Sequence, residues 1–341
     1  MRKGIIILTL FVAIIILIPA VIVLPFSHAK DMKADQMPNK SKQNVEKQKS
    51  KVKTPNITVS VYRENLKKTQ KVPFNDYLVG VVGSEMPAKF DLEALKAQTL
   101  AARTYIISHL LGLGSTSLPD GGQVTDTTQN QVYKNDQELR KIWGKDYSWK
   151  IKKIRQAVLE TADQIIMYKG EPISTPSFFS TSNGYTEDAK DYWSSNIPYL
   201  QSVSSPWDKA SPKYKVTEKQ SVSTVEQKLN ITLPSADGPI GKVTKRTEGK
   251  RIATFKIGNK TFTGREIREA LNLRSTDFSM TKKGNQVSIK TIGYGHGVGM
   301  SQYGAEGMAK EGANYKQILS HYYKGTSIQN MEPFTKRLED K

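Results

Sequence analysis

Glu85 stands in the run Gly83-Ser84-Glu85-Met86-Pro87, where a helical pattern gives way to a loop. A carboxyl group that donates a proton near neutral pH needs a raised pKa, hence an apolar, partly enclosed position. Val81, Val82 and Met86 are placed to wall it in. Spacing alone also fits a helix-end glutamate making ordinary surface contacts, since single carboxylates are common. Arg103 is the second candidate, in Ala97-Gln98-Thr99-Leu100-Ala101-Ala102-Arg103-Thr104. It follows Lys96 by seven residues on the same helical face. Its guanidinium can fork onto a substrate carboxylate or tie its helix to a neighbouring loop. The third candidate is the run from Gly293 to Gly304, with glycine at 293, 295, 297 and 299 and His296 among them. Such a run lets backbone approach a ligand closely. It has neither the glycine spacing of a dinucleotide fingerprint nor the Gly-Lys-Ser/Thr end of a phosphate loop. His296 reads either as a polar residue of a cleft or as a structural histidine.

Other chemistries lack their residues. The histidines are His28, His109, His296 and His321, far apart in sequence, and cysteine is absent. Disulfides and thiolate metal sites are therefore excluded, and no His-Glu-x-x-His or acidic calcium loop occurs. There is no serine or cysteine nucleophile motif. No metal and no cofactor are expected.

These residues need elements to hold them. Ile57 to Tyr62 alternates like a strand, and Pro73 to Val82 reads as a short helix that Met86-Pro87 must break. A strong helix follows, with Asp91 as N-cap and Phe90 and Leu95 as a hydrophobic staple. Leu92, Leu95, Thr99, Ala102 and Ile106 repeat at helical spacing along it. Ile151 to Gln164 reads as a second helix, and Ile165 to Tyr168 and Ser177 to Phe179 as strands. From about residue 213 to 285 the texture changes to short β-like runs, basic turns and a helix near Arg265 to Leu271. That stretch reads as an inserted, smaller, β-rich subdomain. A final helical region covers Ser301 to Tyr323. Strands and helices mix without a regular βαβ repeat, so the expected class is α+β.

The chain has 341 residues and a formal net charge of +19, which calls for a polyanionic environment. Nucleic acid, a membrane surface and an acidic cell wall are the candidates. No helix-turn-helix, zinc finger or RNA-stacking motif supports nucleic acid. The N-terminus favours the other two. After a short basic head, residues 1–3, comes an uncharged apolar run at 4–26, long enough at ~1.5 Å per residue to span a ~30 Å hydrocarbon core. A signal-peptide core is normally only ~7–15 residues, although Ser27-His28-Ala29 resembles a cleavage site. The expectation is one uncleaved transmembrane anchor with its N-terminus in the cytoplasm. Residues 27–55, rich in lysine and poor in large apolar residues, read as a flexible stalk. A folded extracytoplasmic domain at 56–328 and a tail at 329–341 complete the plan.

Several segments together carry a resemblance. Beyond those quoted, they are Glu93-Ala94-Leu95-Lys96-Ala97-Gln98, Gln131-Val132-Tyr133, Phe179-Ser180-Thr181-Ser182-Asn183-Gly184-Tyr185-Thr186 and Pro198-Tyr199-Leu200. Leu273-Arg274-Ser275-Thr276, Gly295-His296-Gly297-Val298-Gly299-Met300-Ser301-Gln302-Tyr303-Gly304-Ala305 and His321-Tyr322-Tyr323 complete the series. In this order they resemble the sporulation protein D and amidase-enhancer family, over the chain from Ile57 to Ile328. The resemblance implies a membrane-anchored lytic transglycosylase that cleaves peptidoglycan glycan strands stripped of stem peptides, during engulfment in endospore formation. It implies a cell-wall amidase and a membrane scaffold as partners. The family's catalytic glutamate falls on Glu85, and Arg103, Tyr199, His296 and Gln302 are implied as substrate-binding residues. Many relatives carry a cysteine where Ser182-Asn183-Gly184 stands, and some bind zinc with cysteine and histidine; the departure argues against zinc here. A lone carboxylate suits this reaction, whereas ordinary glycoside hydrolysis needs two. The rival expectation is a non-catalytic glycan binder that activates the amidase.

Overall fold

The computed structural model describes residues 57–113 and 118–339. The expected anchor at 4–26 and stalk at 27–55 lie outside them. Among the described residues, no helix is long and apolar enough to cross a membrane.

The architecture is mixed α and β, with five small sheets and no regular βαβ repeat. Strand β1 (Thr58–Arg63) pairs antiparallel with β2 (Lys68–Pro73) and parallel with β3 (Val124–Thr125). The chain leaves β2 directly into helix α1 (Phe74–Glu85). This helix runs three residues past the expected end at Val82, so Glu85 is its last residue. Met86, extended at φ −124 and ψ 138, stops it ahead of Pro87.

Helix α2 (Leu92–Leu110) begins at Asp91, whose carboxylate accepts from the Glu93 N–H at 2.9 Å. It is buried on nearly every face, as an alanine- and leucine-rich helix without a polar stripe must be. A strap leads to α3 (Asp136–Trp143), a turn at Gly144–Asp146, and α4 (Tyr147–Glu160). Helix α4 ends four residues before the expected Gln164, because the chain turns at Thr161 into the buried strand β4 (Gln164–Tyr168). Strands β5 (Glu171–Pro172) and β6 (Phe178–Phe179) and the short helix α5 (Ala189–Trp193) follow.

The β-rich stretch has its own apolar cluster, including Val225, Phe255, Ile267, Phe278 and Ile289. It comprises β7 (Lys215–Ser221), α6 (Val222–Leu229), β8 (Gly238–Pro239), β9 (Lys242–Arg246), β10 (Ile252–Ile257) and β11 (Lys260–Thr263). Helix α7 (Gly264–Leu271) and strands β12 (Phe278–Lys283) and β13 (Gln286–Ile292) complete it. Its main sheet pairs β13 with β7 over the full length of both, and so extends to Ile292, beyond the expected 285.

The chain then returns to the first core through β14 (Met300–Ser301), which pairs parallel with β6. The expected helical region at 301–323 is two helices, α8 (Gln302–Lys310) and α9 (Tyr315–Tyr322). They are separated at Gly312, φ +92, and restarted by an Asn314 capping box. Strand β15 (Ser327–Asn330) joins β4, and α10 (Glu332–Glu339) closes the described chain. Helices α1, α4, α8 and α9 pack around α2. The first and last parts of the sequence thus share one core, from Ile57 to Phe334.

Candidate active site

The end of α1 forms the floor of an open cleft of about 530 Å³. Gly83 to Lys89 line its base. One wall is Lys134 with Leu139, Ile142, Trp143, Asp146, Trp149 and Lys150 from the α3–α4 hairpin. Ser180, Lys213, Gln302 and Tyr303, from later in the chain, line it as well. Glu85 lines the cleft and is partly buried. Burial pushes its carboxyl above the usual carboxylate range. The backbone N–H of Val132, donating to Oε1 at 2.8 Å, opposes that shift only in part. Gln302 fixes the helix end: its Nε2 donates to the main-chain oxygen of Glu85 at 2.9 Å and approaches Gln98 Oε1 at 3.3 Å. Helix-end carbonyls have no partner within their own helix, so this glutamine completes the last turn of α1.

A second carboxylate lines the cleft. Asp146 takes a hydrogen bond from Trp149 and pairs with Lys150 at 3.3 Å, and these contacts hold its pKa below the usual range. Glu85 and Asp146 are therefore tuned in opposite directions, the first toward carrying a proton and the second toward staying ionised. Lys89, Lys134 and Lys213 also line the cleft and make no ion pair among the described residues.

Comparison with known proteins decides the family. The stage II sporulation protein model matches residues 62–168, which include Glu85 and the whole hairpin wall. The stage II sporulation protein D of Bacillus subtilis (strain 168) is 45% identical over 337 residues, 98% of both chains. That of Bacillus amyloliquefaciens is 44% identical over 339 residues, again 98% of both. The chain belongs to the stage II sporulation protein D family. The amidase enhancer of Bacillus subtilis (strain 168) is a more distant relative, 31% identical over 74% of this chain and 40% of its own length.

The family motifs do not all meet at the cleft. Of the five expected site residues, the structure brings together Glu85 and Gln302. Arg103 is elsewhere: it is 1% exposed, and it donates to the carbonyls of Val158, Thr161 and Gln164 at 3.0, 2.6 and 3.2 Å. It caps the C-terminal end of α4, so of the two roles its position allowed, the geometry is that of the tie. Burial lowers its pKa to about 10, which leaves it charged at neutral pH. Tyr199 is also enclosed, its hydroxyl meeting Thr175 N–H at 3.2 Å and its ring packing on Tyr168. Neither side chain faces the cleft, because each is already surrounded by partners.

His296 sits among Phe179, Tyr192 and Trp193, with ring centroids 5.7, 5.9 and 5.4 Å away. The Val298 N–H donates to its Nδ1 at 3.1 Å. Burial, with Arg268 and Arg251 nearby, lowers its pKa to about 3, so the ring is neutral. The glycine run around it approaches the protein itself rather than an open space. All four glycines at 293, 295, 297 and 299 have positive φ. A Cβ at Gly299 would fall 2.0 Å from the Ser177 carbonyl oxygen, and one at Gly297 within 2.5 Å of the buried Arg251 guanidinium. The closeness that the structure shows serves the β14–β6 pairing and the seat of Arg251.

Sequence reasoning missed Asp146, Lys150 and the two tryptophans. The available signal was a pair of tryptophans six residues apart in an otherwise polar helical stretch. Among the described residues, no group of three or more His, Asp or Glu is arranged to hold a metal ion.

Proposed function

We propose that this protein is a lytic transglycosylase that cleaves peptidoglycan glycan strands from which the stem peptides have been removed. The observation that carries the reading is Glu85: a carboxyl group with raised pKa at the floor of a cleft whose free cations are lysines. Glu85 gives its proton to the glycosidic oxygen as the C1–O bond breaks. The C6 hydroxyl of the same sugar then closes onto C1 and returns its proton to Glu85. One carboxyl serves as acid and then as base, no water is consumed, and the new end is a 1,6-anhydro sugar. Muramic acid without its peptide exposes a lactyl carboxylate, which Lys89, Lys134 and Lys213 attract.

Membership in a sporulation family suggests where such cleavage is needed, in wall remodelling as one cell engulfs another. On this reading residues 4–26 anchor the chain in the cytoplasmic membrane, the cleft faces the wall, and a cell-wall amidase and a membrane scaffold work beside it.

Asp146 supports a second enzymatic reading. A carboxylate held ionised in the same cleft as a raised one is the pair that a glycoside hydrolase uses, and such an enzyme leaves a reducing end. A third reading, activation of a cell-wall amidase without cleavage, draws on the relative named amidase enhancer. Incubating the full-length chain with peptide-free glycan and weighing the fragments separates the three. Anhydro ends support the transglycosylase, reducing ends the hydrolase, and intact glycan the activator.

A further inference from the structure

The hairpin wall of the cleft presents apolar surface that the chemistry at Glu85 does not use. Trp149 is 45% exposed and Ile142 57% exposed, and both line the same cleft as Glu85. A tryptophan left open to water costs apolar surface that a soluble fold normally hides. The hairpin that carries it is seated on α1. Trp143 packs on α1, with ring atoms 3.1 and 3.4 Å from where a Cβ of Gly83 would lie. Any side chain at 83 would push this wall away from Glu85, two residues on. Lys150 Nζ lies 5.9 Å from the Trp143 ring centre and 5.5 Å from that of Trp149. Asp146 pairs with Lys150 at 3.3 Å, so the cation beside the indole is itself held in place, and nearly half of Trp149 remains exposed.

We propose that Trp149, which lines the cleft with Trp143 and Ile142, is a platform on which a sugar ring of the substrate stacks, setting the glycan chain across Glu85. This rests on the reading of the cleft as a glycan-cleaving site. A pyranose ring has one face of C–H groups and a rim of hydroxyls. An indole face covers the first, while charged groups beside it meet the second. Here that charge is the Lys150–Asp146 pair, with Lys150 Nζ 5.5 Å from the Trp149 ring centre. Ser180, Lys213 and Gln302 add polar groups to the same cleft. The cleft thus offers an exposed indole and charged or polar groups together, the two kinds of surface that a sugar ring needs. Trp149 is a binding residue in this account and takes no part in proton transfer.

The test uses the full-length chain and peptide-free glycan. Trp149→Ala should raise KM about 10-fold while kcat stays within about twofold, and Trp149→Tyr should restore most of the binding. Binding read separately from turnover, in the Glu85→Gln background, should show the same loss on adding Trp149→Ala. Thermal unfolding of the folded variant should hardly move, because the side chain is half exposed. An unchanged KM for Trp149→Ala, with Glu85→Gln inactive, overturns the platform and leaves the assignment of Glu85 standing. Full cleavage by Glu85→Gln overturns the reading of the site itself. An unchanged KM together with lost stimulation of a cell-wall amidase makes Trp149 a protein-binding surface, and the platform falls.

Discussion

The side chain of Gln302 reaches across 217 residues of sequence to donate to the main-chain oxygen of Glu85 at 2.9 Å. The contact joins the start of α8 to the end of α1, and so ties the glycine-rich motif to the motif that carries the acid. Its chemistry is plain: the last carbonyls of a helix lack internal partners, and a buried one left bare is costly.

Gln302→Leu should therefore lower kcat about 10-fold with little change in KM, because the carboxyl group loses its fixed direction. It should also cost ~1–2 kcal/mol of stability through the orphaned carbonyl. Steady-state kinetics and urea unfolding of the same preparation check both. A raised KM with unchanged kcat would make Gln302 a substrate contact instead.

Arg103→Met should act on the fold alone. Three carbonyls at the turn from α4 to β4 lose a charged donor, at an expected cost of ~3 kcal/mol or more. The folded fraction should keep its KM. Chemical unfolding and kinetics at a temperature where the variant is folded test this. A variant of normal stability and weakened glycan binding would return Arg103 to the substrate.

The pH dependence follows from the raised pKa of Glu85. A general acid works when protonated, so kcat/KM should fall as pH rises through that pKa, with a limb above the ~4.3 of an ordinary glutamate. Stability carries the same sign. The folded state holds this proton more tightly than the unfolded chain, so stability is lost as pH rises through the folded pKa. Glu85→Gln should thus be at least as stable as the parent at neutral pH, with the advantage gone below the unfolded pKa of ~4.3. Melting curves across pH 4 to 7 measure it.

Much of the scaffold was legible in local signals. The cap at Asp91 and the alanine-rich run after it predict α2, and Met86-Pro87 predicts where α1 must stop. The change of texture near residue 213 corresponds to a separate apolar cluster. Helix α3 was not anticipated, because its eight residues bury only Leu139 and leave a weak apolar signal. For the site, motif membership is no guide to position. Arg103, Tyr199 and His296 sit in distinctive segments, yet their hydrogen bonds and packing are satisfied inside the fold. Asp146 and Trp149 reach the cleft only because α3 and α4 fold back onto α1, a long-range event that spacing along the chain does not encode.

The most direct measurement is the mass of the glycan fragments released by the parent chain, by Glu85→Gln and by Asp146→Asn. The account predicts fragments ending in anhydro sugars, each one water lighter than a hydrolytic product. They should fall by at least ~10²-fold with Glu85→Gln and persist with Asp146→Asn. Undiminished cleavage by Glu85→Gln, or reducing-end fragments that vanish with Asp146→Asn, would contradict it.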